Sequence, residues 1–351
     1  KNTRIITRSG MTSSIHMLRR VGVNAAKSVV ILNDASADSS QDEKSLADAR
    51  ILKTILALVS CTGEDNVPPV VAEIHIDNMR SLAKNILPEK IFLVDEHNIL
   101  AKLMVQTSRV SGLAQVYDNL VGFEGCEFYF YRPAQSLARM KYGDLVFHFM
   151  NCSVLGIRRS DGEILLNPLP DTQCAAEDEV VLIAEDDSMI KFFPQKLDFT
   201  TPQCKAPYPH PKSVESQLIV GWSHKTPTII AEYGEYVAKG SKIDVVVSEI
   251  SEEMKRQFSE VQKTHGIIKM RLLVGDIHIP STIARLKPEQ YDNVIILSGD
   301  GGDPELRDSE TIANLLQFRN YFKTSVKNEV STQIITEVAD SENIEVIQEG
   351  G

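Results

Sequence analysis

The sequence is poor in the features that most directly announce a chemistry. Its five cysteines, Cys61, Cys126, Cys152, Cys174 and Cys204, are odd in number and scattered, with no CxxC pair. That pattern argues for free thiols in a reducing compartment and against a disulfide or zinc framework. There is no HExxH, no GxSxG and no P-loop, so three common routes to hydrolysis and phosphoryl transfer have no starting point. No apolar run approaches the roughly 18 residues of a membrane helix, and no basic-then-apolar signal segment opens the chain. Positive charge is in deficit: 37 Lys and Arg stand against 48 Asp and Glu, a net charge of −11. This argues against nucleic acid or an anionic membrane surface as partner. The chain opens at Lys1 rather than at methionine and reads as a fragment.

What is present is an alternation of strands and helices. At 351 residues the chain is too long for one compact core, so two or three domains are expected. Residues 4–7 read as a short strand, followed by a helix near 13–20. "AKSVVIL" (26–32) is a β-branched apolar run of the kind buried on both faces of a parallel sheet. Residues 48–60 place Ile51, Leu52, Ile55, Leu56 and Val59 at helical spacing. Strands follow at 69–75 and 91–95, then two helices breaking at Ser111-Gly112, over 97–122. These two helices form either an ordinary hairpin within the domain or an arm that packs on a second subunit. From residue 125 the texture changes to short strands, including "EFYFYR", "LVFHF", "SVLGIRR", "EILLNP" and "EDEVVLIAEDD". Asp161-Gly162 between apolar arms marks a hairpin. A proline-rich linker (193–214) precedes a second α/β segment (215–351). The expected organisation is therefore an incomplete Rossmann-like lobe at 1–124, a β-rich subdomain at 125–192, the linker, and a second lobe.

The two α/β segments repeat one another. Val29 to Leu32 match Val294 to Leu297 at an offset of 265; Leu52, Ile55 and Leu56 match Ile312, Leu315 and Leu316 at 260; Glu73 matches Glu337 at 264. Unrelated α/β segments share periodicity but not register, so this reads as a duplication. The first copy lacks a counterpart to 216–266 and the second a counterpart to 91–187, as a window on a longer tandem array would.

Open parallel sheets bind ligands at the carboxyl ends of their strands. A dinucleotide needs a glycine fingerprint after the first strand. Here the second lobe offers only "VGWSHKTP", with Gly221 alone and His224 and Lys225 in the turn. Acidic residues are the other candidate. Asp34, Asp38 and Asp42 follow the first copy's strand, and Asp300, Asp303, Glu305 and Asp308 the second's; Glu73, Glu337 and Asp340 end the neighbouring strands. Carboxylates gathered there repel unless a cation sits among them, and hard oxygen ligands suit Ca²⁺. The alternative is a solvated, strand-capping loop. Glu177, Asp178, Glu179, Asp186 and Asp187 flank another buried strand, where edge protection is the plain reading.

Tandem α/β lobes, a helical hairpin and a small β subdomain together resemble the RCK (regulator of K⁺ conductance) domains of ion channels. "TRSG", the long run from Asn98 to Pro133, "GEILLNP", "EDEVVLIAEDD" and the Gly221-Trp222 pair resemble the CASTOR/POLLUX-like branch. After Trp222, "SHKTP" stands where plant members carry a basic–acidic string. The resemblance implies a non-enzymatic gating-ring portion of a tetrameric cation channel, whose transmembrane pore lies outside this chain. It implies a place on the cytosolic side of a membrane, the nuclear envelope for a plant-type member and the plasma membrane for a prokaryotic one. It also implies regulatory Ca²⁺ at Asp308, Glu337, Asp300 and Asp340, with Asp34 and Glu73 as first-copy equivalents. The competing readings are a nucleotide-sensing subunit of a K⁺ transporter and, on the same fold, an NAD-dependent oxidoreductase.

Overall fold

The computed structural model describes residues 4–35, 39–122, 125–198, 212–266, 268–300, 303–326 and 330–340, with 343 and 347. It falls into two compact units: residues 1–109 with 212–351, and residues 110–211. The first unit holds both α/β lobes.

In the first lobe a short helix α1 (Ile15–Arg20) precedes the strand β1 (Val29–Ile31). Helix α2 (Gln41–Thr62) starts at a capping box: the Ser40 hydroxyl accepts from the Glu43 amide, and the Glu43 carboxylate accepts from the Ser40 amide. Then come β2 (Val70–Glu73), α3 (Asp77–Ile86), β3 (Ile91–Val94) and α4 (Glu96–Arg109). The sheet is parallel, in the order β1-β2-β3. Ile51, Ile55 and Leu58 of α2 pack with Val70, Ala72 and Ile91 of the sheet. Ile51 and Ile55 lie on this face as the sequence suggested, but Leu58 completes it and Leu56, expected there, is 52% exposed. Residues 4–7 are not a strand, and Ile5 is 87% exposed. Leu272 and Leu273, which match Ile5 and Ile6 at an offset of 267, are held in the second lobe by pairing with a neighbouring strand; among the described residues none pairs with 4–7.

The second lobe runs β8 (Ser216–Val220), α7 (Thr226–Tyr236), β9 (Lys242–Val247), α8 (Glu252–Thr264), β10 (Lys269–Val274), α9 (Pro280–Leu286), β11 (Asn293–Ile296), α10 (Pro304–Ser325) and β12 (Gln333–Thr336). Its five strands are parallel in the order β10-β9-β8-β11-β12, so the winding reverses between β8 and β11. The duplication holds in detail. Buried Asp48, Ile51, Ile55 and Leu58 of α2 correspond at one offset, 260, to buried Asp308, Thr311, Leu315 and Phe318 of α10.

Helix α4 leaves the first lobe's sheet and packs on the second. Its Ala101 and Val105, both fully buried, join one apolar cluster with Ile229, Ile230 and Tyr233 of α7 and with Ile295 and Leu297. Arg109 pairs with Glu215 at 2.8 Å, and Ser108 is hydrogen-bonded to the Tyr233 hydroxyl. Burial pushes that phenol well above its ordinary pKa, so it stays protonated.

The other unit carries α5 (Leu113–Val121), β4 (Glu127–Tyr131), the short α6 (Tyr142–Leu145), β5 (Ser153–Arg158), β6 (Ile164–Leu166) and β7 (Glu179–Ala184), with an antiparallel sheet in the order β4-β7-β5-β6. The helix break expected at Ser111-Gly112 is present, with Gly112 at φ 85°. The hairpin turn is also present: Gly162 sits at φ 91° and its amide donates to the Arg159 carbonyl. The stretch "LVFHF" is not a strand. Leu145, His148 and Phe149 all turn inward at three- and four-residue spacing, so residues 142–148 wind helically.

Candidate functional site

The strand ends of the two lobes line one polar cleft of about 410 Å³. Asn33, Asp34, Ala35 and Glu73 come from the first lobe's strand ends, and Glu96, His97 and Leu100 from the start of α4. Lys225, Ser298, Arg307 and residues 337–339 come from the second lobe. Four carboxylates, those of Asp34, Glu73, Glu96 and Glu337, face two permanent cations, Lys225 and Arg307. The cleft therefore favours a cationic ligand.

The candidate carboxylates do not share one task. Asp308 is 1% exposed and ties helix to strand. Its two oxygens accept from the Ala339 amide at 2.7 Å, the Asp340 amide at 2.9 Å and the Asn343 side chain at 2.9 Å. Burial alone would raise its pKa, but these three donors outweigh burial and hold it below the ordinary carboxylate value. Glu337 pairs with Lys225, Nζ to Oε1 at 2.6 Å. Asp300 accepts from the His224 amide at 2.7 Å and lies 2.6 Å from its Nδ1. Asp34 is largely exposed beside Arg50. Glu73 Oε2 accepts a 3.4 Å bond from the Asn33 amide. Asp340 is exposed after β12, Asp303 caps α10, and Asp42 and Glu305 lie in exposed first helical turns. Asp38 lies outside the described residues. Among the described residues, no three His, Cys, Asp or Glu side chains converge as a metal site.

Asp48 is the acidic residue that sequence reasoning passed over. It is fully buried and accepts from the His75 amide at 3.2 Å, the Ile76 amide at 2.9 Å and the Asn33 side chain at 2.8 Å. Residues 75 and 76 correspond to 339 and 340 at the strand offset of 264, so Asp48, not Asp34, is the counterpart of Asp308. Applying the helix offset of 260 to Asp308 would have found it. A further contact spans the lobes: His224 Nε2 lies 2.5 Å from His97 Nδ1, with the rings at 70°.

Comparison with known proteins agrees with this geometry. A family model described as Castor and Pollux, part of voltage-gated ion channel, matches residues 97–198. The chain is 29% identical over 328 residues to a probable ion channel POLLUX of Oryza sativa subsp. japonica, an alignment covering 91% of this chain and 33% of that protein. This chain is related to the CASTOR and POLLUX ion channels. The probable ion channel CASTOR of the same plant is 30% identical over 342 residues, covering 91% of this chain and 36% of its own length. The ion channel CASTOR of Lotus japonicus is 29% identical over 330 residues, covering 91% and 37%. The chain thus spans about a third of the length of these CASTOR and POLLUX relatives. In fold it is similar to the human SLO3 gating ring, with a TM-score of 0.67 at 16% identity over 98% of this chain and 68% of that one. The tandem RCK-type lobes expected from the sequence are the fold observed. No helix among the described residues is long and apolar enough to cross a membrane.

Proposed function

We propose that this chain is the regulatory, gating-ring portion of a cation channel, and that it senses a ligand in the cleft between its two lobes. The observation that carries the reading is the placement of α4. That helix starts at the cleft with Glu96 and His97 and ends deep in the second lobe's core with Val105 and Ser108. A ligand that contacts Glu73 and Glu96 on one side and the second lobe on the other binds differently as the lobes separate, and differential binding is what shifts a conformational equilibrium. The pore is supplied by chain outside this region, and the ring is a tetramer. The relatives' names as ion channels support the channel assignment, and the lack of a glycine fingerprint after β8 disfavours a nucleotide in the second lobe.

Ca²⁺ is the regulator to test first, at the first-lobe rim, where Asp34 and Glu73 line the cleft. The second-lobe set does not fit it in the arrangement seen. Asp308 is committed to main-chain amides and Glu337 to Lys225. The experiment is current recording from the full-length channel in excised patches, with Ca²⁺ applied to the face bearing this chain. Asp34→Asn/Glu73→Gln should shift the Ca²⁺ response at least tenfold. An unchanged response removes Ca²⁺ from this rim, and loss of all current dependence on any cleft substitution removes the cleft from gating.

A further inference from the structure

The second lobe's winding reverses between β8 and β11, and such sheets take ligands in the crevice outside that point. The turn after β8 approaches the neighbouring strand closely. Gly221 sits at φ 90°, and a Cβ there would lie 3.3 Å from the Leu297 carbonyl oxygen. The chain then enters α7 at Lys225, the residue capping an 11-residue helix, and this residue is only 7% exposed. A cation is poorly placed at this end of a helix, where unpaired amide groups make a positive pole. Burying an ammonium is unfavourable as well, unless it is paired. Its position therefore reports a strong anionic partner, and that partner is Glu337 at the end of β12, 2.6 Å away.

Two oxygens beside the pair point to the same kind of occupant. Ser298 is 3% exposed, lines the cleft, and its hydroxyl has no hydrogen-bond partner among the described residues. The second carboxylate oxygen of Glu337 is likewise buried without one. The ammonium thus meets one oxygen of Glu337, and the two unpartnered oxygens are further acceptors that a soluble cation would find in the crevice once the side chain is removed.

We infer that Lys225 is a tethered cation occupying the second lobe's strand-end crevice, so that Glu337 is neutralised from within the fold rather than by a diffusible ion. The two lobes are then unequal: the second carries its cation permanently, and only the first-lobe rim is open to a soluble one. This assignment stands independently of Ca²⁺ sensing, since wild-type Ca²⁺ binding at Glu73 and rescue at residue 225 are separate readings.

The test is chemical rescue. Lys225→Ala should lower the melting temperature, and millimolar ethylammonium or Mg²⁺ should restore at least half of the loss, beyond any shift the same cation causes in the wild type through the first-lobe rim. Tetramethylammonium, too large and without N–H donors, should not restore it. The double variant Lys225→Met/Glu337→Gln should show no cation dependence. A Lys225→Ala protein that neither cation restores overturns the inference and leaves an ordinary structural ion pair. A wild-type protein stabilised by Mg²⁺ through Glu337, with the effect lost in Glu337→Gln, overturns it from the other side. If the alanine variant does not fold alone, the yield of soluble protein refolded with and without ethylammonium gives the same decision, and no gain counts against the inference.

Discussion

Replacing Asp308 by asparagine separates a structural carboxylate from a metal ligand. The substitution keeps the side chain's shape, removes its charge and turns one acceptor oxygen into a donor. That donor then faces the Ala339 or Asp340 amide N–H, which now bonds Asp308 at 2.7 and 2.9 Å. Hydrogen bonds to a charged group contribute roughly 1.5–3 kcal/mol each, and a buried donor left without a partner costs about 1–3 kcal/mol. Losing one bond outright and weakening two therefore destabilises this helix–strand tie by about 3 kcal/mol. Because the chain holds two lobes in one unit, a single unfolding midpoint is a poor readout. Hydrogen exchange at the Ala339 and Asp340 amides, in EDTA, measures the tie directly. Exchange should accelerate by about two orders of magnitude, since each 1.4 kcal/mol is a factor of ten. Asp48→Asn should do the same to the His75 and Ile76 amides. The pH dependence has a definite sign. The folded pKa of Asp308 is depressed, so its stabilisation is complete above the unfolded carboxylate value of about 4 and is lost as pH falls below that toward the folded value. Unchanged exchange in EDTA, with Ca²⁺ binding lost, would refute this reasoning and make Asp308 a ligand after all.

Three other expectations follow from packing. Val105→Asp places a charge in the apolar cluster that α4 shares with the second lobe and should destabilise that contact by more than about 3 kcal/mol, read as faster proteolysis near residue 105. Tyr233→Phe removes the phenol's bond to Ser108, whose hydroxyl still donates to the Val105 carbonyl, and should cost about 0.5–1.5 kcal/mol, seen by denaturant titration. Gly156→Val drives a side chain into the β5–β6 pairing, because even a Cβ would lie 2.0 Å from the Leu165 carbonyl oxygen; the 110–198 region should lose its β signal by circular dichroism while the α/β lobes persist.

The lobes were legible in the sequence because buried parallel strands leave β-branched runs, and because a duplication preserves register. Val29–Ile31 and Asn293–Ile296 stand out for both reasons. Residues 4–7 misled because a strand needs a neighbour as well as apolar residues. "LVFHF" misled because five mostly apolar residues fit either period, and only the burial of His148 together with Leu145 and Phe149 decides for a helix. In the site, the acidic strand ends were visible as a group, but their partners were not. Asp48 sits in a charged run at the front of α2 and looks solvated until Asn33 and the 75–76 amides close on it. The reach of Lys225 to Glu337 crosses 112 positions of sequence, and no local pattern announces it. Helix α4 had two readings from sequence, a hairpin arm or an intersubunit arm. In the structure it packs on the other lobe of its own chain.

The central claim is that the first-lobe rim of the cleft holds a soluble cation while the second-lobe crevice does not. Ca²⁺ titration calorimetry on the wild type, on Asp34→Asn/Glu73→Gln and on Glu337→Gln tests it most directly. The account predicts binding in the micromolar to millimolar range for the wild type, abolished in the Asp34/Glu73 variant and retained in Glu337→Gln. Binding that survives loss of Asp34 and Glu73 but disappears with Glu337 would contradict it.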